Sequence, residues 1–148
     1  MRIRPIEPRD AAALVPLCAQ LGYPATLEQV ERRLQRLLGH PGQGMLGAES
    51  ALGQLVGWLH IQTRVVFESD PFAEICGLVV DESVRGQGAG GHLVAAAERW
   101  AAANGHTVIR VRSNVVRTAT HRFYENRGYT IVKSQVVFSK PLPSGSPA

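Results

Sequence analysis

A glycine-rich stretch in the middle of the chain constrains its fold more than any other feature. Residues 84–91 are Val-Arg-Gly-Gln-Gly-Ala-Gly-Gly, and they lie between an apolar run that ends at Val80 and a helical pattern over residues 92–103. Glycine adopts backbone conformations that other residues avoid, so such a turn can aim several backbone N–H groups at one point. The positive end of the following helix dipole would point the same way. The sequence therefore predicts an anion site, which we interpret as a pyrophosphate site.

Two other glycine-rich motifs fit this stretch less well. A P-loop needs Lys and then Ser or Thr after its last glycine, whereas Gly90 is followed by Gly91 and His92. The dinucleotide fingerprint is formally present as Gly86, Gly88 and Gly91. However, residues 81–85 separate the apolar run from the first glycine, and the next predicted strand ends without the acidic residue that would bind a ribose. A nucleotide-binding oxidoreductase therefore remains as a weaker alternative.

Composition favours one small globular domain. The chain has 148 residues, of which 45% are hydrophobic and 19% are charged, enough for one buried core. We expect a single domain over residues 1–140 and a flexible tail over residues 141–148. The net charge of +4 favours anionic partners, but no basic run alternates with aromatic residues, so we expect no nucleic-acid partner.

The remaining signals point to a cytoplasmic protein without a metal site. Cys18 and Cys76 are the only cysteines, and they form no metal-binding or redox motif. No cluster of His, Cys and Asp indicates a metal. Neither a secretory leader nor an apolar run of membrane-spanning length is recognisable, so we expect no membrane contact.

The periodicity of the apolar residues predicts the order β-α-α-β-β-β-α-β-α-β. Because residues 72–80 are apolar on both faces, the strand that they form should be central in its sheet. The predicted strands are residues 1–7, 45–49, 55–63, 72–80, 107–112 and 129–139. The predicted helices are residues 10–21, 26–38, 92–103 and 118–127.

This order, with the glycine turn between the fourth strand and the third helix, resembles the GCN5-related N-acetyltransferase (GNAT) superfamily. Residues 85–90, Arg-Gly-Gln-Gly-Ala-Gly, match the family's acetyl-CoA motif Q/R-x-x-G-x-G/A. Residues 121–129, His-Arg-Phe-Tyr-Glu-Asn-Arg-Gly-Tyr, resemble its late helix. Two motifs in the right order are harder to obtain by chance than either alone. The resemblance covers nearly the whole chain and implies an α/β fold: a mixed, mostly antiparallel sheet of six to seven strands flanked by about four helices.

The resemblance also implies an activity and a cofactor. It predicts an N-acetyltransferase that moves an acetyl group from acetyl-CoA directly to a primary amine of a small molecule or peptide, and pairing as a homodimer. A non-catalytic module that binds or senses acyl-CoA is the alternative. Many members have an Asn seven residues before the helix tyrosine, where this chain has Arg117. The residues expected to bind the cofactor are Leu78, Val79, Val80, Arg85, Gly86, Gln87, Gly88, Ala89, Gly90, Gly91, Asn114 and Arg117.

Tyr124 and Glu74 are the candidate catalytic residues. Tyr124 resembles the family's general acid, which protonates the leaving thiolate, and a core tyrosine is the alternative role. Glu74 resembles a strand glutamate that acts as base in histone-type members. Strict alternation would place Glu74 on one face with Cys76, Leu78 and Val80, where a carboxylate is out of keeping with its neighbours.

Several roles stay open from sequence alone. A solvated Glu74 with a water chain as proton acceptor is an equal alternative, and the side chains of His60, His92 and His121 could also serve as bases. The acceptor would be shaped by the two early helices and by the loop over residues 64–71, whose acidic residues could attract a cationic amine. These acids are Glu68 and Asp70.

Overall fold

The computed structural model describes residues 1–113 and 118–144. The chain divides into two compact units, a first unit over Met1–Arg112 and a second unit over Ser113–Ala148. The predicted single domain over residues 1–140 spans both units and stays a prediction.

The first unit is built on a mixed sheet of five strands in the order β1-β2-β3-β4-β5. The strands β1 to β4 pair antiparallel, and β5 pairs parallel with β4. The predicted mixed, mostly antiparallel α/β fold is therefore confirmed, and β4 is an interior strand as expected. The strands are β1 (Arg2–Pro5), β2 (Gln43–Glu49), β3 (Leu55–Arg64), β4 (Phe72–Val80) and β5 (Ile109–Val111).

Three helices of the first unit cover the two faces of this sheet. They are α1 (Ala11–Leu21), α2 (Leu27–Leu37) and α3 (Ala89–Ala103). Gly77 lies on the face that packs against α1, because a Cβ built on it would lie 3.9 Å from a methyl carbon of Leu21 in that helix. Gly57 lies on the face that packs against α3, because a Cβ built on it would lie 3.4 Å from a methyl carbon of Leu93 in that helix. The helices therefore pack on opposite sides of the sheet.

Local sequence signals set the helix ends. Thr26 caps α2, because its hydroxyl accepts from the Gln29 backbone N–H at 3.1 Å and the Gln29 side chain accepts from the Thr26 N–H at 3.0 Å. Gly22 ends α1 with φ 98°. The helix α3 begins at Ala89, earlier than the apolar stripe predicts, because the glycine turn leads directly into its first turn.

The core of the first unit lies between the sheet and the helices. Burying such side chains contributes roughly 1.5–3 kcal/mol each to folding. The largest fully buried side chains are Leu17, Leu59, Ile61, Ile75, Leu93 and Val94.

The second unit contains one described helix, α4 (Thr118–Glu125). Its end follows from Gly128, which has φ 89° and donates its N–H to the Glu125 carbonyl at 3.1 Å. Together with the three helices of the first unit, α4 makes the expected four. No helix in the described ranges is long and apolar enough to cross a membrane.

The expected count of six to seven strands is wrong, because the predicted strand over residues 129–139 does not form. Residues 129–144 contain neither helix nor strand, and the side chains of Ile131, Val137 and Phe138 are exposed. Alternation of apolar and polar residues indicates a segment that could form a strand with one buried face. A strand also needs backbone hydrogen bonds to a neighbouring strand that is distant in sequence, and the local pattern does not show whether such a neighbour exists.

Candidate active site

A β-bulge in β4 lies at the centre of the site. The register pairs Ile61 with Ile75 and His60 with Gly77, so Cys76 is an extra residue without a partner on β3. A bulge bends its strand and shifts the alternation of the side chains that follow. Side chains before and after Cys76 therefore follow opposite phases.

This phase shift overturns the predicted face of Glu74. Even-numbered residues of β3 share one face, and their partners on β4 are Phe72, Glu74, Gly77 and Val79. Leu78 and Val80 pair with odd-numbered residues of β3 and lie on the other face. The expectation that Glu74 shares a face with Leu78 and Val80 is wrong, because strict alternation cannot anticipate an inserted residue.

Beyond the bulge, β4 has an unpaired edge. The strand β5 pairs only with residues 73–75 of β4, and no other described strand adjoins β4 on that side. The backbone groups of Leu78, Val79 and Val80 that face away from β3 are therefore free of any strand partner among the described residues. An extended, amide-containing ligand can pair with such an edge as an added strand.

The glycine turn after β4 is open on its outer side. Gly86 has φ 84° and Gly88 has φ 88°, the left-handed conformation that favours glycine. A Cβ at Gly86 would meet nothing within 4 Å, and one at Gly88 would meet only an imidazole at 3.8 Å. Gly88 has no side chain with which to cap α3, so no N-cap side chain occupies the first-turn N–H groups, which begin with Ala89, Gly90 and Gly91.

Polar side chains hold the segment that connects β4 to this turn. Arg85 donates from Nε to the Val80 carbonyl at 3.2 Å, which ties the turn to the end of β4. The Asp81 carboxylate accepts from the Ser83 backbone N–H at 2.9 Å, and the Ser83 hydrogen bonds lower the pKa of Asp81. Gln87 lies exposed in the turn.

These elements fit a ligand that has a diphosphate and an amide arm. The diphosphate suits the uncapped amides of α3, and the amide arm suits the unpaired edge of β4. The first unit therefore brings together the ten predicted cofactor residues from Leu78 to Gly91. The other two, Asn114 and Arg117, lie outside the described residues.

Glu74 lies buried between two arginines. Its side chain is 6% exposed, and its Oε1 and Oε2 lie 3.3 Å from Arg64 Nη1 and 3.4 Å from Arg112 Nε. We call Arg64, Glu74 and Arg112 the arginine cluster. Next to it, the Arg110 guanidinium carbon lies 4.5 Å from the ring centroid of Phe72. These arginines were not predicted as site residues from the sequence, although the Arg-Val-Arg alternation at residues 110–112 places two of them on one face.

A neutral polar row continues along the same face of β3. His60 Nε2 lies 2.7 Å from Gln43 Oε1, and Gln43 Nε2 donates to Gln62 Oε1 at 3.3 Å. An amide oxygen only accepts, so this contact assigns the proton to His60 Nε2 and leaves Nδ1 unprotonated. Burial lowers the pKa of His60, so its imidazole is uncharged near neutral pH.

Cys76 stands exposed at the bulge as a protonated thiol. Its Sγ donates to the Glu74 carbonyl at 3.5 Å. Desolvation of the sulfur and, after it, the nearby Glu74 carboxylate raise the pKa of Cys76 to about 11. The thiolate is the nucleophilic form of cysteine, so this thiol is a poor nucleophile near neutral pH.

Tyr124 is the buried residue of α4 in the second unit. Its ring makes edge contacts with Phe123 and Tyr129 at centroid distances of 5.0 and 5.5 Å. Burial raises the pKa of Tyr124 to about 12, against a smaller lowering by Arg127. The phenol is therefore fully protonated near neutral pH, as a proton donor must be before it acts.

Comparison with known proteins agrees with this fold. A family model described as the acetyltransferase (GNAT) family matches residues 13–129. The chain belongs to the GNAT family of acetyltransferases. The predictions of the family and of an acyltransferase enzyme are confirmed.

Individual relatives include several aminoglycoside acetyltransferases. The chain is 28% identical over 153 residues to aminoglycoside N(6')-acetyltransferase type 1 of Klebsiella aerogenes, across 95% of this chain and 96% of that protein. The structure of AAC(6')-IG from Acinetobacter haemolyticus matches with TM-score 0.82 and 21% identity over 97% and 100% of the two chains. The complex of AAC(6')-Iy with CoA matches with TM-score 0.84 and 18% identity over 95% of each chain. At these identities the solved structures support the fold alone.

Proposed function

We propose that this chain transfers an acetyl group from acetyl-CoA to the primary amine of a small molecule. The observation that carries the proposal is one continuous stretch of backbone: a bulge, an unpaired strand edge and an uncapped helix start follow one another from Cys76 to Ala89. Membership of an acetyltransferase family and the CoA complex of a structural neighbour support it. A peptide amine is the other acceptor class that the sequence leaves open.

The chain's own backbone would do most of the donor binding. The N–H groups of residues 86–91 hold the diphosphate, and Arg85 keeps the turn in place and adds positive charge. The free edge at residues 78–80 takes the pantetheine arm, and one N–H there polarises the acyl carbonyl. Bound acetyl-CoA supplies an activated thioester. Contacts from Asn114 and Arg117 remain predictions.

Tyr124 is the proposed general acid. Burial raises its pKa to about 12, so near neutral pH the hydroxyl carries the proton that the leaving sulfur needs. A tyrosine that only packs in its aromatic cluster is the competing role, and the Tyr124→Phe variant separates the two.

The proton of the amine has two proposed routes. Both Glu74 oxygens already contact a guanidinium, so a proton that arrives there must displace an ion pair. This geometry favours the water chain that the sequence left open, with Glu74 in a positioning role. A base role for Glu74 stays an untested prediction.

Direct transfer is favoured over an acetylated cysteine. Cys76 is the thiol nearest the bulge, and its pKa of about 11 leaves very little thiolate near neutral pH. We therefore propose that the amine attacks the donor carbonyl without an acyl-enzyme intermediate.

The first experiment follows release of the free thiol of CoA over a panel of primary amines. We expect Tyr124→Phe to lower kcat about 100-fold with unchanged CoA affinity, because general acid catalysis contributes about that much. Tyr23→Phe, at an exposed tyrosine of the same unit as the turn, is the matched control. An unchanged kcat in Tyr124→Phe would remove the acid role, and CoA binding without turnover of any amine would favour the sensor module.

The second experiment measures CoA binding by calorimetry in Gly88→Val. A β-branched residue is strained at φ 88° and its side chain extends into the open space before α3, so Kd should rise at least about tenfold. Gly53→Val is the control, because Gly53 also has a positive φ, 79°, and open space but lies in the β2–β3 turn. Equal CoA affinity in both variants would contradict the proposed diphosphate site. Sedimentation of the same samples checks the expected homodimer.

A further inference from the structure

We propose that Arg64 and Arg112 bind an oxyanion of the acceptor, so that the acceptor is a primary amine that also carries a carboxylate or phosphate group. This inference rests on the proposed function, because it names the class of acceptor that the same site would take. Its basis is the charge, exposure and position of the arginine cluster.

The first observation is that the cluster has guanidinium donors without a partner among the described residues. Each guanidinium has five N–H donors, and Glu74 contacts one nitrogen of each arginine, at 3.3 and 3.4 Å. The side chains of Arg64 and Arg112 are 33% and 55% exposed, whereas that of Glu74 is 6% exposed. The buried carboxylate therefore anchors two arginines whose remaining donors face solvent. Such donors suit the paired oxygens of a carboxylate or phosphate.

The second observation is the sign of the charge on this face. Among the residues of β3, β4 and β5, Glu74 is the single acidic side chain, and it lies on the face that carries the cluster. Arg110, opposite Glu74 on β5, adds a third cation to this face. A polycationic acceptor would need free carboxylates there. The other nearby acids, Glu68 and Asp70, stand exposed on the turn between β3 and β4 and not on the sheet face.

The third observation is the position of the cluster beside the bulge. Glu74 precedes Cys76 by two residues, which is roughly 7 Å along a strand. On the neighbouring strand the uncharged His60 lies opposite Gly77, just past the bulge. An amine at the bulge and an oxyanion at the arginines can therefore belong to one small molecule. The acceptor would be held by its anion while its amine meets the thioester.

The test compares acceptors of one length that differ in the charge at the far end: 4-aminobutanoate, butylamine and 1,4-diaminobutane. We expect kcat/KM for 4-aminobutanoate to exceed that for butylamine by about tenfold or more, and the diamine to be the poorest, since the face is cationic. A second pair, 2-aminoethyl phosphate and ethanolamine, distinguishes phosphate from carboxylate. A diamine that equals or exceeds 4-aminobutanoate would overturn the inference, with Glu68 and Asp70 as the groups responsible.

Variants assign the preference to these arginines. Arg112→Gln should reduce the preference for 4-aminobutanoate over butylamine by about tenfold, mainly by raising the KM for 4-aminobutanoate. Arg99→Gln, at an exposed arginine of α3, is the matched control. An undiminished preference in Arg112→Gln combined with Arg64→Gln would contradict the inference. Glu74→Gln is added to that variant so that no buried carboxylate is left unpaired.

A binding readout separates this inference from the proposed function. Calorimetry with 4-aminobutanoate, without CoA, should show binding that Arg112→Gln weakens about tenfold and that Glu74→Gln alone strengthens, because it removes the competing carboxylate. Such binding without turnover of any amine would support the oxyanion site and count against the transferase. Turnover of butylamine without any effect of these variants would support the transferase and overturn the oxyanion site.

Discussion

Two charge clusters in the first unit have reversed arrangements of charge: one places an arginine between two carboxylates, and the other places a carboxylate between two arginines. In one, Arg4 lies between Asp10 and Glu49, with nitrogen–oxygen distances of 2.8 and 2.5 Å. We call these three residues the Arg4 cluster. In the arginine cluster, Glu74 lies between two arginines at 3.3 and 3.4 Å. The same interaction is short in one place and long in the other.

Exposure explains the difference. In the Arg4 cluster all three side chains are at most 20% exposed, and Asp10 accepts two further hydrogen bonds, from Arg4 Nη2 at 2.9 Å and from the Glu7 N–H at 2.8 Å. In the arginine cluster only the central carboxylate is buried. A closed cluster uses its donors to hold the fold, whereas an open cluster keeps donors for a ligand. If this is correct, substitutions in the Arg4 cluster should lower stability and substitutions in the arginine cluster should not.

The largest effect is expected for Asp10→Asn. Removing one member of a buried, hydrogen-bonded ion pair typically costs about 3 kcal/mol, because the partner charge stays buried without compensation. Urea unfolding measures the change in the free energy of unfolding, with Asp70→Asn at an exposed site as the control. A loss of less than about 1 kcal/mol in the free energy of unfolding would show that the Arg4 cluster, like the arginine cluster, contributes little to the stability of the fold.

A smaller effect is expected on acidification. The hydrogen bond from Arg4, and after it the Glu7 N–H, lower the pKa of Asp10 below its ordinary value of 3.8. A carboxyl with a lower pKa in the folded state stabilises the fold above the ordinary value, and this contribution is lost as the pH falls through the folded-state pKa. Urea midpoints between pH 6 and pH 2.5 should fall less steeply in Asp10→Asn than in the unmodified chain. Parallel pH profiles would contradict the assignment.

The smallest effect is expected for the stability of Arg112→Gln. An ion pair with a half-exposed partner contributes about 0.5 kcal/mol or less, and Arg64 still contacts Glu74 in this variant. Urea unfolding should therefore show nearly unchanged stability, together with the loss of acceptor preference described above. A loss of more than about 1.5 kcal/mol would show that the arginine cluster also holds the fold.

The part of the candidate site that sequence predicts best is the glycine turn with the strand before it. Gly86 and Gly88 predict the turn because glycine is the residue that readily adopts a positive φ, which is a property of the single residue. The bounds of β4 follow from a local run of apolar residues. The capping box at Thr26 is equally local.

The bulge and the contacts of Glu74 depend on which strands pair, and sequence alone does not give this. The bulge at Cys76 is visible only in the pairing of β3 with β4, and the contacts of Glu74 join residues from three strands. The missing strand over residues 129–139 has the same cause, since its pattern lacks a partner. The surroundings of Glu74 are therefore the part of the candidate site that needed a three-dimensional description.

The extra residue Cys76 decides which face of the sheet each later residue of β4 takes. If the bulge closed and Cys76 paired opposite His60, the two faces downstream would be exchanged, so that Leu78 would turn towards α1 and Val79 towards α3. The Glu74 carboxylate upstream would keep its orientation while every residue after it changed face. Deleting Cys76 would instead leave Ile75 opposite Ile61 and Gly77 opposite His60, so the faces would stay as they are and only the local bend would be lost.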